Sequence, residues 1–407
     1  MRVIALYLPQ YHEIPENDLW WGKGYTEWTS VKRGQVLIDG QYQPRIPLNG
    51  NYYDLLDIDV MKWQTKIAKE HGIYGFCFYH YWFNGKKLLE KPIEQYLLHQ
   101  EIDFPFYLCW ANETWTTVWE GEENPTVLAE HDYTDVADVD KHFQYWLPFF
   151  KDKRYIKDHN RPVLNIYNPI VIPYRRLKYM INRWNELAKK EGFDGISFQY
   201  LCAESMCFMD EKYKDLFEYG VEYEPSYVQH LEDDIEKEQK RYKRERLSKT
   251  LNKHFPFLFR VKHLIRRDNH VRKETELTGV KILRDYDKDW EKVLNITHYD
   301  YSKYIPGGFI DWDNTPRRGH GGKVILGANP QKFEKYFERL VLRTKEVYKK
   351  DMIVLFAWNE WSEGGYLEPD EKWGTAYLQA IKNVLEKLGE TPYRGNECGE
   401  NRLSNTP

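Results

Sequence analysis

The chain has 407 residues, a formal net charge of −4 and 42% hydrophobic residues, which is enough for one large core and gives no global case for nucleic acid as a partner. No apolar run is long enough to cross a bilayer. Aromatic content stands out, with 15 Trp and 32 Tyr, and rings with polar tips suit surfaces that are partly apolar and partly wet.

Taken in order, strand and helix signals alternate. Val3 to Pro9 reads as a strand, and the long aromatic loop Gln10 to Gly50 after it is more functional than idle in character. Asp54 to His71 has helical periodicity, closed by Gly72. Then come a strand at Tyr74 to Trp82, a helix at Leu88 to Gln100, a strand at Pro105 to Asn112 and a helix over Val139 to Lys151. Pro162 to Tyr167, Gly195 to Ala203 and Val221 to Tyr227 read as strands four to six, with a helix at Tyr174 to Glu191. After a long insertion, Gly307 to Trp312 reads as the seventh strand, Gln331 to Lys349 as its helix and Met352 to Ala357 as the eighth strand. Thr375 to Leu388 is the closing helix. Eight such units predict an α/β fold, a (β/α)8 TIM-like barrel forming a single domain over 1–390, with one long charged helical insertion between strands 6 and 7. A doubly wound sheet is the alternative, but no glycine-rich nucleotide turn follows the first strand. The five cysteines lack metal spacing, and Cys77 and Cys109 fall inside apolar runs, so reduced core thiols are expected. Met1 to Tyr7 reads as a strand rather than a leader, so the expected location is cytoplasmic.

In a parallel barrel, chemistry sits beyond the carboxyl ends of the strands. Six of the eight ends here carry aromatics beside Asp, Glu, Asn or His, a pairing that suits sugars: flat rings stack on C–H faces while carboxylates and amides take hydroxyls. The eighth end, Trp358-Asn359-Glu360-Trp361-Ser362-Glu363-Gly364, holds two glutamates three apart, with Glu368 on the same loop. Glu360 and Glu363 are the candidate acid/base pair. Tyr79, His80, Trp82, Trp110, Asn112, Glu113, Glu224, Asp311, Asp313, Trp358 and Asn359 are candidates to line the cleft. Tyr11, His12, Glu27 and Trp28 could close one end, and Arg317 could meet an acidic sugar or pair with a cleft carboxylate. Scattered histidines without an H-E-x-x-H or Cys pair imply neither a metal nor a cofactor.

Tyr7-Leu8-Pro9-Gln10-Tyr11-His12, Trp20 to Trp28, Phe78 to Lys86, Cys109 to Trp115 and Trp358 to Gly364 resemble the WbsX-type proteins over about residues 1 to 390, apart from the insertion. That family is described as glycoside hydrolase family 99-like and is linked to bacterial O-antigen and capsule loci. The resemblance implies a retaining glycosidase or transglycosylase of surface-polysaccharide metabolism. In family 99, the endo-α-mannosidases and endo-α-mannanases, the first Glu of the turn takes the proton of the sugar 2-hydroxyl, which attacks C1, and the second is acid and base at the glycosidic oxygen. Carried over, Glu360 would assist the 2-hydroxyl and Glu363 would protonate the leaving group. A conventional retaining scheme, with carboxyls about 5 Å apart and one as nucleophile, stays open. The first strand carries Leu8-Pro9-Gln10 where family 99 has an aromatic Tyr-Pro-Trp turn, which leaves the sugar unassigned. Two alternatives stand beside this reading: a glycosyltransferase of O-antigen, capsule or lipopolysaccharide biosynthesis, and a non-catalytic glycan-binding protein.

The insertion, 228–280, contains 14 Lys and Arg against 7 Asp and Glu between Leu231 and Lys273. One expectation is a solvated helical excursion. The other is an interfacial element that meets a lipid-linked glycan or an anionic membrane surface through 231–273, which would make the protein peripheral to the inner membrane. The tail 391–407 is polar, with no element to name.

Overall fold

A computed structural model describes residues 1–116, 126–203, 209–231 and 279–392. The insertion over 232–273, with the membrane or lipid-linked partner expected for it, lies outside the described residues, as do Cys207, Cys398 and the tail from residue 393.

Strands β1 (Arg2–Tyr7), β2 (Ile73–Phe83), β3 (Phe106–Trp110), β4 (Arg161–Ile166), β5 (Ser197–Cys202) and β6 (Tyr219–Glu222) pair in parallel, each beside its predecessor. The next stave, β7, is one strand in two pieces, Tyr304–Ile305 and Gly307–Phe309. Its first piece pairs with β6 and its second with β8 (Met352–Phe356), which pairs in turn with β1. The split at Pro306 therefore lets one stave close the sheet into an eight-stranded barrel. Gly307 sits where the staves crowd, and a Cβ there would lie 1.8 Å from the Glu222 carbonyl oxygen. Only glycine fits.

The strands form where buried apolar runs predict them. β1 is buried at every position, as expected of a parallel sheet covered on both faces. The helices follow from caps and stripes. In α1 (Ile58–Glu70) the Asp57 side chain accepts from Asp59 N, Met61, Gln64, Thr65 and Ala68 face the barrel, and Gly72 at φ 84° ends the run. In α2 (Val136–Lys151) Asp135 caps the start, and Val139, His142, Phe143, Trp146, Phe149 and Phe150 are buried, His142 and Trp146 against His80 of β2 and Trp110 of β3. Burying each such aromatic contributes roughly 1.5–3 kcal/mol. Among the described residues, Cys77, Cys109 and Cys202 are buried and lie outside any disulfide.

Some boundaries differ from expectation. The sixth strand stops at Glu222, because Tyr223 turns into a helical turn in which Tyr227 N bonds to the Tyr223 carbonyl. The seventh begins earlier and ends earlier than Gly307 to Trp312. A parallel pair outside the barrel, Ile282–Asp285 with Lys323–Leu326, has no counterpart in the sequence reading. Among the described residues no helix is long and apolar enough to cross a membrane.

Candidate active site

The turn after β8 is a tight hairpin. Asn359–Glu360 pairs antiparallel with Gly365–Tyr366, and Trp361–Glu363 forms one 3₁₀ turn between them. Residues three apart eclipse in a 3₁₀ turn, which is why Glu360 and Glu363 face the same way. Gly364, at φ 74°, closes the hairpin against Arg45 Nη2 and Asp313 N, each 3.0 Å from where a Cβ would stand.

Three supports fix this hairpin. Asn359 continues the sheet with its side chain, accepting from Leu8 N at 2.8 Å and donating to Leu8 O at 3.0 Å. Tyr11 donates to the Asn359 carbonyl and accepts from Trp361 N at 3.2 Å. Beneath them, the Glu368 carboxylate accepts from Gln64 Nε2 (2.6 Å), Trp361 Nε1 (2.7 Å), Tyr53 OH (2.8 Å) and Trp358 Nε1 (3.1 Å). Burial lifts Glu368 to about 7, opposed by these same four donors.

Arg317 comes from Thr315–Arg318, a single helical turn after β7. Asp313 builds that turn, accepting from Thr315 N and Oγ1 and from Gln41 and Gln43 Nε2. Arg317 donates through Nη1 to Glu363 (2.9 Å), through Nη2 to Glu360 (2.8 Å) and Glu27, and through Nε to Glu27 (2.9 Å). Glu27 opens the short helix α3, Glu27–Lys32, entered by a Thr26/Thr29 capping box. One guanidinium thus holds three carboxylates, each with a side chain no more than 13% exposed.

Burial raises Glu360 well above the ordinary carboxylate range, with Glu363 and Glu27 adding to the effect and Arg317 opposing it. Glu363 is raised for the same first cause, with Arg317 opposing and Glu27 adding. Folding therefore keeps protons on these groups where the unfolded chain releases them. The folded state binds more protons, so stability falls as pH rises above the ordinary glutamate value of 4.5. Glu360→Gln removes a titrating group, and its melting temperature is expected to decline less steeply with pH than that of the parent. Parallel slopes would show that Glu360 titrates ordinarily.

The wall facing the pair is aromatic. Tyr79 donates to Tyr223 OH at 3.3 Å, Tyr167 packs edge-on to both, and Tyr81 OH accepts from Gln10 Nε2 at 3.0 Å. Tyr81, Tyr167, Tyr223 and Gln10 are absent from the sequence-derived candidates. Strand alternation would have supplied Tyr81 from Tyr79.

The same alternation corrects others. His80, Trp82 and Trp110 point outward to α2. His80 Nε2 lies 2.8 Å from His142 Nε2, Trp82 stacks on His142 at 4.6 Å and donates to Asp138, and Trp110 packs edge-on to His142 at 4.9 Å. Burial holds His80 at about 3, so it stays neutral. Glu224 also turns away from the pair; one carboxyl oxygen accepts from Val228 N, and burial followed by Glu222 raises it. Asn112 pins the loop after β3, bonding to Asn168 N and O, and Glu113 accepts from Asn168 Nδ2. Asp311 pairs with Arg45 at 2.7 Å, and Asp313 is spent on the Arg317 turn. Trp358 and Asn359 are fully buried supports. Trp28 donates to Tyr53 O and packs on Trp361, and buried His12, lowered to about 4 by desolvation, lines a surface cleft with Trp28 and Tyr52. Of the sequence candidates, Tyr11, Glu27, Tyr79, Arg317, Glu360 and Glu363 converge.

A closed barrel with carboxylates gathered beyond its strand ends defines the class: a (β/α)8 barrel like that of glycoside hydrolase family 99. The GH99 endo-alpha-mannosidase from Bacteroides thetaiotaomicron superposes with a TM-score of 0.56 in complex with bis-tris-propane and 0.54 without it, at 11% identity, over 96% of this chain and 97% or 98% of that one. A glycoside hydrolase-like protein superposes at 0.52 with 12% identity, over 94% of this chain and 93% of that one. The model of the family described as "Glycosyltransferase WbsX" matches residues 3–381, and the chain belongs to that family. It is 34% identical over 391 residues to the uncharacterized protein WxcX from two strains of Xanthomonas campestris pv. campestris. The match takes in 95% of this chain, which spans about half the length of those relatives (50%).

Proposed function

We propose that this chain cleaves or transfers glycosidic bonds in an oligosaccharide or polysaccharide with retention, using Glu360 and Glu363, in bacterial surface-polysaccharide metabolism. The observation that carries this reading is the pair itself: two carboxyls presented side by side on one 3₁₀ turn, gripped by one guanidinium and walled by tyrosines. A general acid must hold its proton near neutral pH, and the burial that raises Glu363 serves that need, whereas Glu360 must be ionised to act, a state that Arg317 favours against the burial around it. Glu363, the more exposed of the two, protonates the leaving oxygen and later activates the incoming water or sugar hydroxyl. Glu360, deeper in the site, either takes the proton of the sugar 2-hydroxyl as that oxygen attacks C1, or attacks C1 itself.

The family's description as a glycosyltransferase favours a second reading, transfer from an activated donor. The deciding experiment incubates the purified protein with α-mannosyl and surface-polysaccharide oligosaccharides, with and without nucleotide sugars. Release of reducing ends without nucleotide supports the glycosidase reading. Elongation that requires a nucleotide sugar sinks it.

A further inference from the structure

We propose that Glu27 is a positioning residue for the Glu360–Glu363 pair: it grips Arg317 through two nitrogens and, as a third carboxylate on a single cation, sets how readily the pair gives up its proton. The inference takes its catalytic meaning from the pair reading above. Arg317 commits Nε and Nη2 to Glu27, which fixes the plane of the guanidinium. Both bonds end on Glu27 Oε1, and in the plane they define Nη1 reaches Glu363 while Nη2 also meets Glu360. A fork held at one edge presents its remaining donors in one orientation, which a freely rotating arginine does not.

Three carboxylates against one guanidinium cannot all ionise cheaply in a buried site, because like charges in contact push protons back on. The neighbours on the other elements do not redress the balance. Tyr11, Tyr79, Tyr81 and Tyr223 face the group as neutral phenols, each raised first by burial. Arg318 and Lys323 act on Glu363 and rank behind Glu27 among its influences. Glu27 adds to the rise at both members of the pair. It is 3% exposed and held at the start of α3, where Glu27 N donates to Gln10 O at 3.1 Å, so it cannot swing away to relieve the repulsion.

The test needs no sugar. The full chain, labelled with ¹³C at the glutamate carboxyls, is titrated by NMR, with Glu360→Gln and Glu363→Gln assigning the two signals. In Glu27→Gln both titrations are expected to move down by about one pH unit or more. In Glu27→Asp, which keeps the charge but withdraws it by one methylene, they are expected to move the same way by less. This second variant decides the matter if Glu27→Gln does not fold. Parental titrations in the folded variants overturn the proposal. Where turnover is measurable, the alkaline limb of its pH profile moves down with the titrations, whereas a merely structural role lowers the rate without moving the limb. Shifted titrations in a protein that turns over no sugar would leave the positioning role standing and remove the glycosidase reading alone.

Discussion

Glu363→Gln is expected to lower turnover of an unactivated glycoside by about 10²–10⁴-fold, the range over which a positioned general acid acts. The amide is nearly isosteric and its oxygen can still accept from Arg317 Nη1, so the hairpin and its contacts stay in place. What disappears, on the proposed division of roles, is the proton for the leaving oxygen. An aryl glycoside whose phenolate leaves without protonation separates the roles of the two glutamates. With that substrate Glu363→Gln should recover much of its first-step rate, while Glu360→Gln, which lacks the group acting at C1 or at the 2-hydroxyl, should not. Equal losses with both substrates would remove the division of labour. Parental turnover in Glu363→Gln would remove the residue from the chemistry.

The largest stability effect is expected at Glu368. Replacing it by leucine leaves Gln64, Trp358, Trp361 and Tyr53 with buried donors and no acceptor. Each unmet donor costs about 1–3 kcal/mol, and neighbours in one network do not add fully. A loss of about 4 kcal/mol or more is therefore expected from the urea midpoint at constant slope. Glu368→Gln keeps one acceptor oxygen but points an amide N–H at donors, and should fall between parent and leucine. A loss below about 1 kcal/mol for the leucine variant would mean that the four donors find water or each other. The two predictions use different observables, so a weakened scaffold cannot be mistaken for a missing acid.

How much of this can be read from the sequence depends on the range of each interaction. The staves are readable because parallel strands are buried on both faces, and Met352 to Phe356 stands out for that reason. The carboxylate pair is readable because its geometry is local, a single turn with a three-residue spacing. On the cleft wall the period-two alternation decides: Tyr79 faces inward to Tyr223, whereas His80 and Trp82, on the other face of the strand, meet His142. Glu368 is visible in sequence as a third acid on the loop, yet its role is not, because its donors arrive from the Tyr53 loop, α1, the end of β8 and the 3₁₀ turn. Asp313 sits in a D-x-D triplet but serves the Arg317 turn, which depends on Gln41 and Gln43 far upstream. The partnership of Arg317 with Glu27 spans 290 residues, and no local pattern announces it.

Those spans carry a consequence for how the molecule matures. Leu8 meets Asn359 across 351 residues, and Arg317 meets Glu27 across 290. Contacts this remote in sequence are expected to form late, because closing the chain between them costs entropy that no local contact offsets. A chain emerging from the ribosome already holds Glu27 when the first helices pack, but it has no acid pair to complete until the eighth stave docks beside the first. Sugar turnover, once a substrate is in hand, would thus serve as a clock for ring closure in refolding experiments, reporting the last long-range step rather than the early growth of helix.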